Sequence, residues 1–238
     1  MRSAFAGFPP EMVKFFHSLK RNNRREWFQP RKHLFEQHVK TPMLDLAGAI
    51  NAELAKFAPA YVTEPKSAIF RIYRDTRFSA DKTPYKTHVA ASFSRRGGER
   101  MGMGGFYFSI SNEEIEVAAG IWHPERDVML AVRNHIAGTH QELQRLLADK
   151  KSRKLAGELQ GATLSRSPKG FDPEHPAAEF IKMKDWILDV RLDAAMATTP
   201  QLHVAIVERF RAMTPLLEYL NRPLLARKPA RDLLADHW

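Results

Sequence analysis

The sequence predicts an α+β fold in which a mainly antiparallel β-sheet has helices before and after it along the chain. Three observations support this fold. Apolar residues recur with helical spacing up to about residue 57, alternate with polar residues between 87 and 122, and return to helical spacing after residue 124. No internal repeat or linker divides the 238 residues. We therefore expect a single domain over residues 1–238, with a basic, loosely held tail from about residue 223.

Three helices are expected ahead of the sheet, over residues 11–20, 30–39 and 41–57. Between the first two, Asn23 and Glu26 have the spacing of a capping box, in which the Asn side chain accepts a backbone N–H. Pro30 suits the first turn of the second helix. Thr41, followed by a proline, suits the start of the third.

Period-two alternation predicts strands over residues 68–74, 87–94, 105–111 and 115–122, with a hairpin at 112–114. One face of this sheet is apolar and should lie in the core: Val89, Ala91, Phe93, Phe106, Phe108, Ile110, Val117, Ala119 and Ile121. The other face is small and polar with two large aromatics: His88, Ala90, Ser92, Tyr107, Ser109, Glu116, Ala118, Gly120 and Trp122. Such a face indicates that either a ligand or another element of the chain covers it. Of these two interpretations, we prefer a covering helix.

The remaining elements follow from helix and strand signals after the sheet. One helix should open at Pro124, and a capping box at Thr139 should start another. Short strands are expected at 162–165 and 186–192, with a helix over 172–181 between them. The last long helix should begin after Thr199 and either kink or restart at Pro215.

Composition limits the partners. The net charge is +10, and residues 66–100 hold nine basic and three acidic residues, a local excess of six. This charge attracts anions, including nucleic acid. The chain has no cysteine, which excludes disulfides and thiolate metal sites. With no apolar run long enough for a signal peptide or a membrane span, we expect a cytoplasmic protein with no membrane partner.

The segment of residues 71–86 is the candidate anion site, because its cations are interleaved with aromatic residues, Thr and Pro. We expect the anion to be held by Arg71, Arg74, Arg77, Lys82 and Lys86. Asp75 would orient the arginines, or act in catalysis, and His88 would transfer any proton. Tyr107 and Trp122, on the polar sheet face, would contact the ligand. The alternative is an internal salt-bridge network of the arginines with Asp75 and Asp81 that only fixes the shape of the loop.

Common catalytic motifs are absent from the sequence. It contains no Gly-rich phosphate loop followed by Lys-Ser/Thr, no His-Glu-x-x-His motif and no Gly-x-Ser-x-Gly elbow. No metal site and no particular cofactor is indicated. Three hypotheses remain: a binding protein or enzyme whose ligand is an anionic small molecule; a nucleic-acid-binding accessory protein; and a structural or protein-interaction module.

Three motifs in this order carry a resemblance to a known family: NNRREWF at residues 22–28, RIYRDTRFSADKTPYK at 71–86 and AGIWHP at 119–124. Together with PKGF at 168–171 and a His-Pro pair at 175–176, they resemble a widespread family of conserved hypothetical proteins, a domain of unknown function. The resemblance covers nearly the whole chain and implies a single domain with no established activity. Ser109 stands where the family commonly has His, and residues 118 and 119 are Ala where Gly is usual. A catalytic role for that His would therefore fail here.

Overall fold

Helices lead into the sheet in a computed structural model that describes residues 5–95 and 102–225. The α-helices of this part are α1 (Pro10–Arg21), α2 (Arg25–Phe28), α3 (Lys32–Phe35), α4 (Thr41–Phe57) and α5 (Pro65–Ala68). Shorter turns link them: 3-10 turns at Gln29–Arg31 and Pro59–Tyr61, and a π turn at Glu36–Lys40. The π turn joins α3 to α4 without a break, so Thr41 does not cap a new helix as predicted. Its hydroxyl instead donates to the Glu36 carbonyl at 2.9 Å.

The first three strands form an antiparallel meander, as the alternation predicted. They are β1 (His88–Ser94), β2 (Gly105–Ser111) and β3 (Glu114–Ile121). Every residue assigned to the apolar face of the sheet is buried, which confirms the predicted register. Phe93 and Phe106 pack against Phe210, with ring centroids 6.1 and 4.6 Å from it.

The rest of the described chain adds helices and two further strands. They are α6 (Arg126–Ala148), α7 (Lys150–Ala156), β4 (Leu159–Gln160), α8 (Ala178–Ile181), β5 (Trp186–Asp193) and α9 (Gln201–Leu225), with a 3-10 turn at Ala194–Thr198. The strand order is β1-β2-β3-β5-β4, and all the pairings are antiparallel. The fold is α+β, as predicted. Among the described residues, we find no helix with the length and apolar character needed to cross a membrane.

The predicted strand over residues 68–74 is wrong. Ala68 ends α5, because the Glu64 side chain accepts the Ser67 N–H and starts a helical turn at Pro65. The chain beyond it pairs with the edge of β1 at one isolated bridge, Ile69 with Ala91. One cause is the Pro84 that faces this segment, since proline has no N–H to give to a ladder.

Two predictions after the sheet are also wrong. Residues 162–165 form one bridge, Thr163 with Met183, and the strand lies earlier, at β4. The expected helix over 172–181 is reduced to α8. The Asp172 and His175 side chains accept the N–H groups of residues 174 and 177, and these local turns compete with a helix. Pro176 also disfavours a helical conformation at the residue before it.

The break that the sequence predicts at Thr139 is present in the first of the two long helices. Helix α6 begins at Arg126, and two helical segments join in it across a kink at Thr139, which has non-helical angles (φ −134°, ψ 25°). The Thr139 hydroxyl bonds the His135 carbonyl and the Tyr219 hydroxyl rather than capping a helix. Helix α9 runs through Pro215 without a second start. It extends to Leu225, and the rest of the expected loose tail lies outside the described residues.

Candidate ligand-binding groove

The polar face of the sheet carries a groove with a volume of about 510 Å³. None of the described residues that line it belongs to an α-helix, so the interpretation of a covering helix is wrong for this part of the face. The side chains that matter for its chemistry are Phe70, Lys86, His88, Tyr107, Glu116 and Trp122. We call this feature the sheet groove.

Small residues make the floor of the sheet groove. The strand register aligns Ala90, Ser109 and Glu116 in one row across the sheet, and Ser92, Tyr107 and Ala118 in the next row. At one side Gly120 lies so close to β5 that a Cβ there would sit 2.0 Å from the Trp186 carbonyl oxygen. A larger residue would therefore displace the strand as well as narrow the groove.

One end of the sheet groove is cationic. The Lys86 ammonium nitrogen lies 4.9 Å from the centre of the Phe70 ring, and no carboxylate among the described residues acts on it. Desolvation, together with the charge of Arg71, lowers the pKa of Lys86. Burial and the neighbouring Lys86 charge lower the pKa of His88, so His88 is neutral at neutral pH. This end offers one half-buried cation beside a neutral imidazole.

Aromatic rings flank the sheet groove. Phe70 packs edge-on against Tyr107, with ring centroids 6.1 Å apart, and Phe70 itself is 44% exposed. Trp122 is 71% exposed and stacks on His123 at 4.4 Å, with 18° between the ring planes. These rings give the groove apolar walls above its polar floor.

The position of Trp122 depends on the residue that follows it. His123 has a φ of 48°, the single positive φ of a non-glycine residue in the described chain. The buried Asp185 carboxylate accepts the His123 backbone N–H at 2.7 Å and lies 3.2 Å from its Nδ1 atom. Left-handed backbone at such a residue costs energy and persists where its surroundings enforce it. Asp185 thus fixes the turn that presents Trp122.

The side of the sheet groove formed by β3 carries a carboxyl group. Glu116 accepts a hydrogen bond from Ser109 at 3.2 Å and pairs with Arg191 at 3.1 Å. Arg191 also contacts Asp189 at 3.2 Å, while the second carboxylate oxygen of Asp189 is buried and finds no donor among the described residues. Desolvation raises the pKa of both carboxyls, and it also raises the pKa of Tyr107. Glu116 can therefore act as a proton donor more readily than an ordinary surface Glu.

Most cations of the predicted anion site contact their own loop. Arg77 forms a two-pronged pair with Asp75, at 3.0 and 2.8 Å. Arg74 bonds Asp81 and the Thr83 side chain. Lys82 is also held within the loop, because its ammonium donates to the Thr76 carbonyl at 2.9 Å.

The predicted site residues therefore divide into two groups. Lys86, His88, Tyr107 and Trp122 meet at the sheet groove. Arg74, Arg77, Lys82 and Asp75 are held within the loop, and Arg71 is exposed between the two, its charge acting on both Lys86 and Asp75. Sequence reasoning missed Phe70, because it assigned that residue to a strand. It placed Glu116 on the right face without selecting it.

The first motif is joined to the loop by Asn23. Its side chain donates to the Tyr85 carbonyl at 2.8 Å and accepts the Tyr85 N–H at 3.1 Å. The predicted capping box is therefore wrong, since helix α2 begins after Arg24 with no side-chain cap. Tyr85 in turn stacks on Phe28 with centroids 4.1 Å apart. This contact fixes the residue next to Lys86.

A second cavity, of about 430 Å³, lies between α6, α7 and α9. Several of its charged side chains already have partners. Arg153 pairs with Glu158 at 2.6 Å, Asp149 caps helix α7, and Glu142 binds Arg222 at 2.8 Å. We therefore regard the sheet groove as the better candidate. No group of three or more His, Asp or Glu suited to a metal ion occurs among residues 5–95 and 102–225.

Comparison with protein families gives a match over most of the chain. The family described as Conserved hypothetical protein (DUF2461) matches residues 11–219. A search of curated proteins finds no match to the chain.

Proposed function

Because the chain belongs to this family of conserved hypothetical proteins, whose description assigns no activity, we propose a function from the site itself. The sheet groove binds a small molecule that carries a carboxylate or phosphate group, with the anion on Lys86 and beside His88. Its volume of about 510 Å³ falls in the range of small-ligand sites. We also propose a cytoplasmic location, with which the absence of cysteine is compatible.

The observation that carries the proposal is the state of Lys86. Its ammonium group is half-buried against Phe70, and no carboxylate of the described residues compensates it. A buried charge without a partner is costly, and an anionic ligand would remove that cost. Arg71 adds positive potential next to it without filling the site.

His88 gives the site a group that can take a proton. Because burial lowers the pKa of His88, its imidazole is unprotonated at neutral pH and has a free nitrogen that can accept a proton. Any proton transfer in the groove is assigned to His88. Asp75 has the different role of holding Arg77, at 3.0 Å.

Isothermal titration calorimetry with phosphate, pyrophosphate, citrate and benzoate tests the proposal. At least one anion should bind, and Lys86→Gln should weaken it by about 10–100-fold, as expected for a charge-assisted hydrogen bond. Lys66→Gln is the matched control, because Lys66 is exposed on α5 away from the groove, and it should leave affinity unchanged. An equal loss of anion affinity in both variants would show that the effect depends only on net charge, and it would contradict binding at Lys86.

One observation favours a second candidate, single-stranded nucleic acid bound along the loop. Phe78 is 95% exposed, and the Arg77 guanidinium lies 5.7 Å from its ring centre. An exposed ring beside a cation can stack a base. An extended basic surface for a nucleic-acid strand is not supported by two other cations of the chain. Lys20 is paired with Glu113, and Arg222 is paired with Glu142.

Fluorescence anisotropy with a labelled 12-nucleotide strand at two salt concentrations tests this candidate. Affinity should fall steeply with salt and be reduced by Phe78→Ser. No binding at low salt would remove it. The third possibility, a module whose loop only stabilises the fold, would then rest on the internal pairs of Arg74 and Arg77.

A further inference from the structure

We propose that the ligand of the sheet groove is a small zwitterion, in which an ammonium group binds Glu116 and a carboxylate or phosphate binds Lys86. This inference rests on the proposed function and specifies the class of its ligand. It follows from three observations that anion binding alone does not explain. The two charges lie at opposite ends of one row of the sheet, negative charge is in excess around Glu116, and the residues between the two ends are small.

Phe70 and Glu116 lie at the two ends of one row across the sheet. The Phe70 N–H donates to the Ala90 carbonyl at 2.9 Å. The strand register then places Ala90 beside Ser109, and Ser109 beside Glu116. The Lys86 ammonium lies 4.9 Å from the centre of the Phe70 ring, so its charge lies at the Phe70 end of the row. The row therefore has a cation at one end and a carboxyl at the other.

The carboxyl end of this row carries an excess of negative charge. Arg191 contacts three carboxylates, those of Glu114 at 2.8 Å, Glu116 at 3.1 Å and Asp189 at 3.2 Å. Among the described residues, Arg191 is the one cation that acts on Asp189. Desolvation raises the pKa of Glu116 and Asp189, and neighbouring carboxylates raise each further. These negative charges are therefore held at a free-energy cost, which a second cation would offset.

Glu116 is the carboxyl of this cluster that a ligand can reach. Of the three, it alone belongs to the described residues that line the groove, and its side chain is 25% exposed. Ser109 and Arg191 use part of its capacity, and a carboxylate has about four sites that accept hydrogen bonds. Because the guanidinium of Arg191 lies among the three carboxyls, they are not arranged to hold a metal ion. An organic ammonium, which donates up to about three hydrogen bonds, suits the free side of Glu116.

The distance between the two ends sets the length of the ligand. The Phe70 ring packs against Tyr107 of β2, so it reaches over β1, two strands from Glu116 on β3. Neighbouring strands lie about 4.8 Å apart, which puts about 10 Å between the ends. Two ionic contacts of about 3 Å each leave about 4–5 Å between the ligand's nitrogen and its anionic oxygen. An amino group about two or three carbon atoms from the anion spans this distance, and the short side chains of Ala90 and Ser109 leave room for it.

Trp122 is not part of this arrangement. Glu116 is near the start of β3, whereas Trp122 follows the end of that strand. A ligand with two or three carbon atoms between its charges cannot reach from Lys86 to Trp122. Trp122→Ala should therefore leave binding of the zwitterion unchanged.

Calorimetry on the full chain compares zwitterions with probes that lack one of the two charges. The carboxylate probes are 4-aminobutyrate, butyrate and 4-hydroxybutyrate, with butylamine as the amine alone. The phosphate probes are O-phosphoethanolamine and ethyl phosphate. At least one zwitterion should bind about 10–100-fold more tightly than the anion without its amino group, as expected for a charge-assisted hydrogen bond. Butylamine should bind more weakly than 4-aminobutyrate, because it brings no anion to Lys86.

Three variants locate the two charges of the ligand. Glu116→Gln keeps the shape of the side chain and should lower the affinity for the zwitterion to that for the matching anion, without weakening the anion. Glu114→Gln is the matched control and should change neither affinity, because Glu114 contacts the same arginine at 2.8 Å but is not among the described residues that line the groove. Lys86→Gln should weaken zwitterion and anion alike. The comparison of probes on the wild type needs no variant, so it decides the matter even where a variant fails to fold.

The outcomes distinguish this inference from the proposed function. If the anions bind as tightly as the zwitterions and depend on Lys86, the inference is refuted while the proposed function stands. If 4-hydroxybutyrate equals 4-aminobutyrate, or Glu116→Gln has no effect, no ammonium binds Glu116 and the inference is refuted. If butylamine equals 4-aminobutyrate and Lys86→Gln has no effect, both are refuted. If no probe binds, the inference is refuted, and titration with phosphate, pyrophosphate, citrate and benzoate decides the proposed function separately.

Discussion

Replacing Asn23 with Ala should destabilise the protein by removing the contact between the first motif and the loop. The Asn23 side chain satisfies both backbone groups of Tyr85, at 2.8 and 3.1 Å, although the two residues are 62 positions apart. Tyr85 is only 1% exposed and stacks on Phe28. An alanine would leave its N–H and C=O without their present partners.

The magnitude follows from those two groups. A buried backbone group that loses its partner costs about 1–3 kcal/mol, so two such groups give an upper limit of about 6 kcal/mol. Asn23 is itself half-buried, so water can reach part of the vacated space and recover part of this cost. We therefore expect a loss of about 2–3 kcal/mol in the free energy of unfolding. For a chain of this size that corresponds to a fall of roughly 4–12 °C in melting temperature.

Urea unfolding of the wild type, Asn23→Ala and Asn22→Ala measures the effect. Asn22 is the matched control, because its side chain makes one hydrogen bond, to the Ser18 carbonyl at the end of α1. Its loss should cost about 0.5–1.5 kcal/mol. Asn23→Asp should be at least as harmful as Asn23→Ala, since a carboxylate would face the Tyr85 carbonyl. If Asn23→Ala cost no more than Asn22→Ala, the contact would not hold the loop as we describe.

Three further predictions concern the core, the groove and the loop. Phe108→Ala should cost about 3–5 kcal/mol in urea unfolding, because the ring is fully buried; a loss under 1 kcal/mol would contradict its packing. Gly120→Ala should lower the melting temperature sharply, since its Cβ would meet the Trp186 carbonyl oxygen at 2.0 Å; an unchanged melt would show that β5 can move. Arg77 lowers the pKa of Asp75 from 3.8 to about 2 through its side chain and backbone N–H. The resulting stabilisation is present above about pH 4 and lost as the pH falls towards 2, so the melts of wild type and Asp75→Asn should differ at pH 6 and converge at pH 2; a constant difference would exclude this cause.

The sheet could be predicted from the sequence because its signal is local and periodic. Alternation alone placed Phe93, Phe106 and Phe108 on the buried face, and a wrong register would have exposed all three. Helix boundaries were harder. Thr41 before a proline is a good local start signal, yet the chain enters α4 through a π turn, a feature that depends on packing and not on the cap.

The errors that matter for function came from contacts between distant residues. Asn23 has a plausible local partner at the start of α2, but Tyr85 offers it two hydrogen bonds in the folded chain. Likewise the environment of Glu116 is set by Arg191 and Asp189, more than 70 residues away, which no spacing rule reveals. Composition identified the sign of the charge, and only the fold distinguishes paired cations from unpaired ones.

The basic segment of residues 71–86 illustrates why that distinction decides where a ligand can bind. Within it Arg74, Arg77 and Lys82 satisfy acceptors of the same segment, so a ligand would have to displace an existing partner to use them. Lys86 differs because its backbone N–H pairs with Ile72 while its side chain faces the groove, over a ring instead of a carboxylate. The charge of the whole segment can draw an anion to this side of the protein. An anion that binds to an uncompensated cation recovers the whole desolvation free energy of that cation. We therefore expect the anion to bind at Lys86.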